Sequence, residues 1–254
     1  MSKLFIFLSF YLFTISSIKI KNPDKVIAPP FKGTIFVNSD IITSKDKTTY
    51  VKNEYYETAL RKMYDRRVSD WIKIKPIIFK SYYHDSDIIE FQVNPEFGSI
   101  ENAKSQVDLF APEIGRLPIV LRRYIKTVWI HKGLKPFGGG NENILIHTDW
   151  FEKHYKSQGI LEETLFHEAS HTSLDSLHAN KLAWIDAQNK DNNFISEYAK
   201  EFPNREDIAE SYLLYFALKH KREILSDITI HKIENSIPNR IKYFENQNFE
   251  VYPF

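Results

Sequence analysis

The stretch His167-Glu168-Ala169-Ser170-His171 sets two imidazoles four residues apart with a carboxylate between them. On a helix that spacing stacks His167 and His171 on one face, where both reach a single metal ion, while Glu168 reaches a water bound beside them. That is the chemistry of a zinc-dependent peptidase. Ile160, Thr164, His167, His171 and Leu174 share one helical face, so the imidazoles sit in an otherwise inward-facing stripe. Two imidazoles on such a stripe each need a buried partner, and a shared metal supplies one.

A catalytic zinc takes three protein ligands and keeps one position for water or substrate. The chain has no cysteine, so every ligand is a histidine or a carboxylate. His178 lies seven residues beyond His171, about 10 Å along the axis of a continuous helix, and no glycine or proline turns the chain back. The pattern H-E-x-x-H-x-x-G-x-x-H, which makes that turn at its glycine, has Leu174 and Leu177 at the two deciding positions here. Asp175, four residues after His171, extends the helix or orients a neighbour. A second helix downstream offers Glu206 and Glu210, four apart on a face continued by Leu213 and Ala217. Glu206 is expected as the third ligand, with Glu210 accepting the outer N–H of a ligand imidazole. Two alternatives stay open: Glu210 or His178 as the ligand, and Glu206 as a residue that merely complements a helix dipole. Pro203-Asn204 reads as the start of this helix, with Asn204 and Asp207 as a capping pair.

The combination of His167-Glu168-x-x-His171 with Glu206-x-x-x-Glu210 resembles the gluzincin branch of the zincin metallopeptidases, as in thermolysin and anthrax lethal factor. Met63-Tyr-Asp-Arg-Arg67, Trp129-Ile-His-Lys-Gly133, Phe137-Gly-Gly-Gly-Asn141 and His167-Glu-Ala-Ser-His-Thr-Ser-Leu-Asp175 are similar to segments of a group of exported proteins classed as peptidases by their motif, of unknown substrate. The resemblance implies a zincin-like α+β fold: a small mixed sheet whose edge strand lies over the motif helix, then a mainly helical C-terminal part. It implies Zn2+ as cofactor, Glu168 as general base and a peptide or protein as substrate. A further donor is needed for the developing oxyanion. Tyr198, eight residues before Glu206, resembles the tyrosine that lethal-factor-like enzymes carry upstream of their glutamate, and Tyr212 and Tyr215 compete for the role. A secreted zinc-binding or interaction protein without peptidase activity is the alternative, though a purely structural site has no use for Glu168.

The rest of the 254-residue chain must position these groups. Leu4 to Ile15 is an apolar run after Lys3, too short to span a bilayer comfortably, and reads as a signal peptide over residues 1–17. Secretion follows, with no transmembrane domain after cleavage; an uncleaved anchor is the alternative. Residues 18–30 read as a linker containing Pro23, Pro29 and Pro30. Residues 31–254 are expected to form one domain, α+β to about 178 and helical over 179–254. A net charge of +1 leaves no electrostatic footprint for nucleic acid. Oligomeric state leaves no mark in the sequence.

Thr34–Val37 and Asp40–Thr43 read as short strands, and apolar spacing over 54–74 predicts a helix with Arg66 and Arg67 on its solvated or salt-bridged face. Extended segments follow from Ile77 and over Ile88–Val93, then a helix over Ala103–Ile114 and a strand over Thr127–His131. Gly138-Gly-Gly140 reads as a tight turn or a close backbone approach before a strand from Asn143 to His147, of which 143–146 is the expected substrate-binding edge. Helices are expected over 182–186, 194–201, 208–219 and 222–233.

Overall fold

The computed structural model describes residues 28–191 and 193–254. The protein has a mixed α+β fold. Its strands are β1 (Tyr50–Thr58), β2 (Arg61–Asp65), β3 (Asp70–Ile74), β4 (Ile77–Tyr83), β5 (Ser86–Val93), β6 (Thr127–His131), β7 (Gly138–Gly140) and β8 (Asn143–His147). Its helices are α1 (Ile100–Arg116), α2 (Ile119–Arg122), α3 (Thr148–Trp150), α4 (Leu161–Ser170), α5 (Ser176–His178), α6 (Leu182–Asp191), α7 (Glu197–Glu201), α8 (Asp207–His220), α9 (Asp227–Ser236) and α10 (Pro238–Glu245).

Six strands form one sheet in the order β1-β4-β5-β6-β8-β7, and β2 with β3 forms a separate hairpin. β5, β6 and β8 run parallel, whereas β1, β4 and β7 pair antiparallel to their neighbours. The alternation expected along β5 is present: Ile89, Phe91 and Val93 are buried while Ile88 faces out. α1 makes the crossover that the parallel pair β5–β6 requires. Its N-terminus is capped by the Ser99 hydroxyl, which accepts the Asn102 N–H, and its buried side carries Ala103, Val107, Phe110, Ala111 and Ile114 at helical spacing.

The motif helix α4 lies between this sheet and α8. Phe166 stacks on Tyr212 with ring centroids 5.5 Å apart and meets Phe216 at 5.1 Å. Each fully buried side chain of this kind contributes about 1.5–3 kcal/mol. The first turn of α8 is tied to α10 by charge: Arg240 Nε donates to Asp207 Oδ2 at 2.8 Å and its Nη1 to Asp191 Oδ2 at 2.9 Å, with all three side chains fully buried. Breaking such a buried network costs about 3–5 kcal/mol, because it strands a charge away from water. The residue beside Asp207 is Glu206, so this network fixes where Glu206 sits.

Several expectations are corrected. The helix over 54–74 is instead β1 and the β2–β3 hairpin. The aromatic residues that mimicked helical spacing pair across strands, Tyr64 opposite Trp71 with rings 5.7 Å apart. Residues 34–43 form no strand: Thr34–Phe36 is a 3-10 turn followed by turns and bends. Several of their backbone donors go to side chains, among them the Thr34 N–H to Glu210 Oε2 and the Ile42 N–H to Glu163 Oε1. β8 is not an edge, because it pairs with β6 on one side and β7 on the other, and the triple glycine is the outer strand rather than a turn. Asn204 and Asp207 form no capping pair, since Asp207 is spent on Arg240, Gln188 and Ser211.

α1 runs past Gly115, and α10 lies beyond the last expected helix. The stretch 222–233 divides into a 3-10 turn, Arg222–Ile224, and α9. After residue 178 the described residues hold helices and no named strand. The signal segment 1–17 and linker residues 18–27 lie outside the described residues. Among those described, no helix is long and apolar enough to cross a membrane.

Candidate metal centre

α4 carries His167, and His171, one turn further on, opens a wider π turn, His171–Asp175, through which the chain continues without a break into α5. α8 crosses so that Glu206, the residue just before its first turn, faces both imidazoles. His167 Nε2 and His171 Nε2 stand 3.1 Å apart, and Glu206 Oε2 lies 3.3 Å from the first and 3.1 Å from the second. Three atoms bearing lone pairs therefore converge on one point, two of their residues buried and His171 half-buried. His167, His171 and Glu206 form a candidate metal-binding triad.

Neighbouring side chains fix each of the three. Asp175 Oδ2 stands 2.7 Å from His171 Nδ1; with the proton on Nδ1 that contact leaves the Nε2 lone pair pointing inward. His167 Nδ1 faces Glu210 Oε1 at 3.4 Å. Glu210 is itself held by the Thr34 N–H at 2.9 Å. The second oxygen of Glu206 accepts hydrogen bonds from the Tyr198 hydroxyl at 3.1 Å and from Arg205 Nε at 2.6 Å. Monodentate presentation of Oε2 follows, because Oε1 is already occupied.

The electrostatics favour a positive charge at the point of convergence. Burial alone would disfavour the Glu206 carboxylate, but the two imidazoles outweigh it and hold its pKa well below the usual carboxylate range. Burial likewise opposes the charged form of His171. Asp175, Glu206 and the charge of Glu168 overcome that opposition and push the pKa up to about 10. For Glu210 and Asp175 burial wins and both are raised.

The triad sits in the wall of a cleft of about 810 Å³ that also exposes Glu168, Tyr155, Tyr198 and the strand β7. β7 is pressed onto the motif helix: a Cβ on Gly139 would lie 1.8 Å from the Glu168 carbonyl oxygen, so only glycine fits. The Thr172 hydroxyl fastens the two, accepting the Gly140 N–H at 2.9 Å and donating to the Asn143 carbonyl at 2.8 Å. β7 pairs with β8 along one side and is the last strand of the sheet.

Of the residues singled out from sequence, His167, Glu168, His171, Tyr198, Glu206 and Glu210 all come together on this cleft. Asp175 takes the orienting place rather than a ligand position. His178 does not join them: it is buried elsewhere, with Nδ1 2.7 Å from the Tyr243 hydroxyl and its ring against Tyr243 and Phe249. Tyr212 is wholly buried against Phe166 and Phe244 and does not line the cleft. Arg205 was not anticipated, although its place next to Glu206 was the available signal. Thr34 was missed because a backbone N–H leaves no trace in residue type. Comparison of the chain with protein-family models, curated proteins and solved structures yields no match.

Proposed function

We propose that the protein is an exported zinc-dependent peptidase of gluzincin type, hydrolysing peptide bonds in a peptide or protein substrate. The observation that carries this reading is the convergence of His167, His171 and Glu206 at 3.1–3.3 Å beside Glu168 in an open cleft. Tetrahedral zinc with bonds of about 2.0–2.1 Å spaces its donors about 3.3–3.4 Å apart, so the residues present fit the ion. Two imidazoles and one carboxylate with a free fourth position make a catalytic rather than a closed structural ligand set. Bound there, zinc supplies a Lewis acid that polarises a carbonyl and lowers the pKa of water to near 7.

The chain's own residues do the rest. Glu168 lines the cleft without belonging to the triad, and it accepts the proton of the attacking water and returns it to the leaving amine. Asp175 and Glu210 hold the imidazoles in orientation. Tyr198 is the donor for the developing oxyanion; its proton rests on Glu206 Oε1, so the role requires it to exchange that acceptor for substrate. An extended peptide pairs with the outer side of β7, the glycines letting its backbone come close. The edge strand against the motif helix and the helical remainder support a zincin-like layout. Export rests on the apolar run Leu4 to Ile15.

A mixed peptide library incubated with the purified protein tests this reading by mass spectrometry. Internal cleavage is expected, stopped by a chelator and restored by added zinc. A zinc-saturated protein that cleaves nothing would contradict it and favour a metal-binding protein without turnover.

A further inference from the structure

The adjacent arginines in the β2–β3 turn have opposite fates. Arg67 is spent on carboxylates: its Nη2 lies 2.7 Å from Asp65 Oδ2 and its Nη1 2.7 Å from Glu96 Oε2. Arg66 turns to the cleft, where its Nη1 donates to the carbonyls of Pro136, at 3.1 Å, and Phe137. These two carbonyls lead directly into β7, so the guanidinium is fixed at the start of the edge strand. Its Nε and Nη2 have no acceptor among the described residues, and no carboxylate lies within ion-pair distance of it. Nε–H and Nη2–H make up the side of a guanidinium that matches a carboxylate with two parallel hydrogen bonds.

The surroundings are shaped to keep that group in place. A Cβ on Gly138 would stand 2.5 Å from Arg66 Nη2, so the strand gives up a side chain where the guanidinium lies. Arg66 also lines the same cleft as Tyr155 and Glu168. Burial and the charge of Glu168 push the pKa of Tyr155 up to about 12, and the charge of Arg66 opposes that rise. Arg205, another cleft cation, is committed to Glu206.

We infer that Arg66 is a specificity-determining residue that anchors a carboxylate of the bound peptide, through the paired donors Nε and Nη2 at the head of the edge strand. The inference rests on the peptidase reading above. The carboxylate belongs either to an Asp or Glu side chain or to the C-terminus of the peptide. Both present the same pair of oxygens, and the donors left free on Arg66 suit either.

Binding to zinc-loaded Glu168→Gln protein separates these sources without cleavage. Labelled octapeptides are compared by fluorescence polarisation: one Glu is walked through a neutral scaffold, each with its Gln counterpart, and the scaffold is made as free acid and as amide. At one Glu position, or for the free acid alone, binding is expected to be about ten- to a hundredfold tighter than for the neutral counterpart, the range of hydrogen bonds to a charged group. Arg66→Gln in the same background should erase that difference, and Arg66→Glu should shift preference to a Lys peptide. Thermal melting checks that each variant is folded, and Arg66→Gln decides alone if the charge reversal does not fold. Equal binding of acidic and neutral peptides, a preference that survives Arg66→Gln, or no peptide binding at all would overturn the inference. Failure of the peptidase reading is seen separately, as wild-type protein with zinc that cleaves no peptide.

Discussion

Glu168→Gln is expected to lower kcat/KM for peptide hydrolysis by about 10²–10⁴ while leaving the metal bound, the range a positioned general base contributes. Glu168 lines the cleft next to His167, yet neither of its oxygens belongs to the converging triad. The amide keeps the size and polarity of the side chain but cannot take a proton from water. Steady-state kinetics paired with metal analysis of the same preparation make the check. Undiminished activity would place the base elsewhere, and loss of metal would make Glu168 a ligand.

Metal affinity should fall by more than about 100-fold in Glu206→Ala, beyond the 10- to 100-fold typical of hydrogen-bonded neighbours of ligands. The substitution removes one of three converging atoms and leaves Tyr198 and Arg205 without their shared acceptor. Asp175→Asn and Glu210→Ala should fall within that smaller range, since they hold imidazoles rather than the ion. His178→Ala should leave affinity unchanged, because that ring is packed on Tyr243 and Phe249. Competition against a chromogenic chelator ranks the four variants. If His178→Ala emptied the site and Glu206→Ala did not, the gluzincin ligand set would be wrong.

The site was more legible in the sequence than the fold around it. His167, Glu168 and His171 are fixed by spacing along one helix, which residue order states outright, and Glu206 with Glu210 repeats the same one-turn rule. How α8 crosses α4 is a tertiary fact, and it brings Glu206 beside the two imidazoles while His178 packs on Tyr243. Strands β5 and β6 were readable because one face is buried and the other is not. The hairpin β2–β3 was not, since Tyr64 and Trp71 gain their stability from each other across the strands. The same physics hid the edge. Asn143 to Ile146 looks like any apolar strand, and only pairing shows that three glycines without side chains form the outer strand.

The metal content of the purified protein, measured by elemental analysis beside His171→Ala protein prepared in the same way, tests whether His167, His171 and Glu206 hold a zinc ion. About one zinc per chain is expected in the wild type, with the variant largely depleted, because His171 Nε2 is one of the three converging donors. Wild-type protein that takes up no zinc even when supplied with it, or zinc retained in full by the variant, would contradict the assignment of this site.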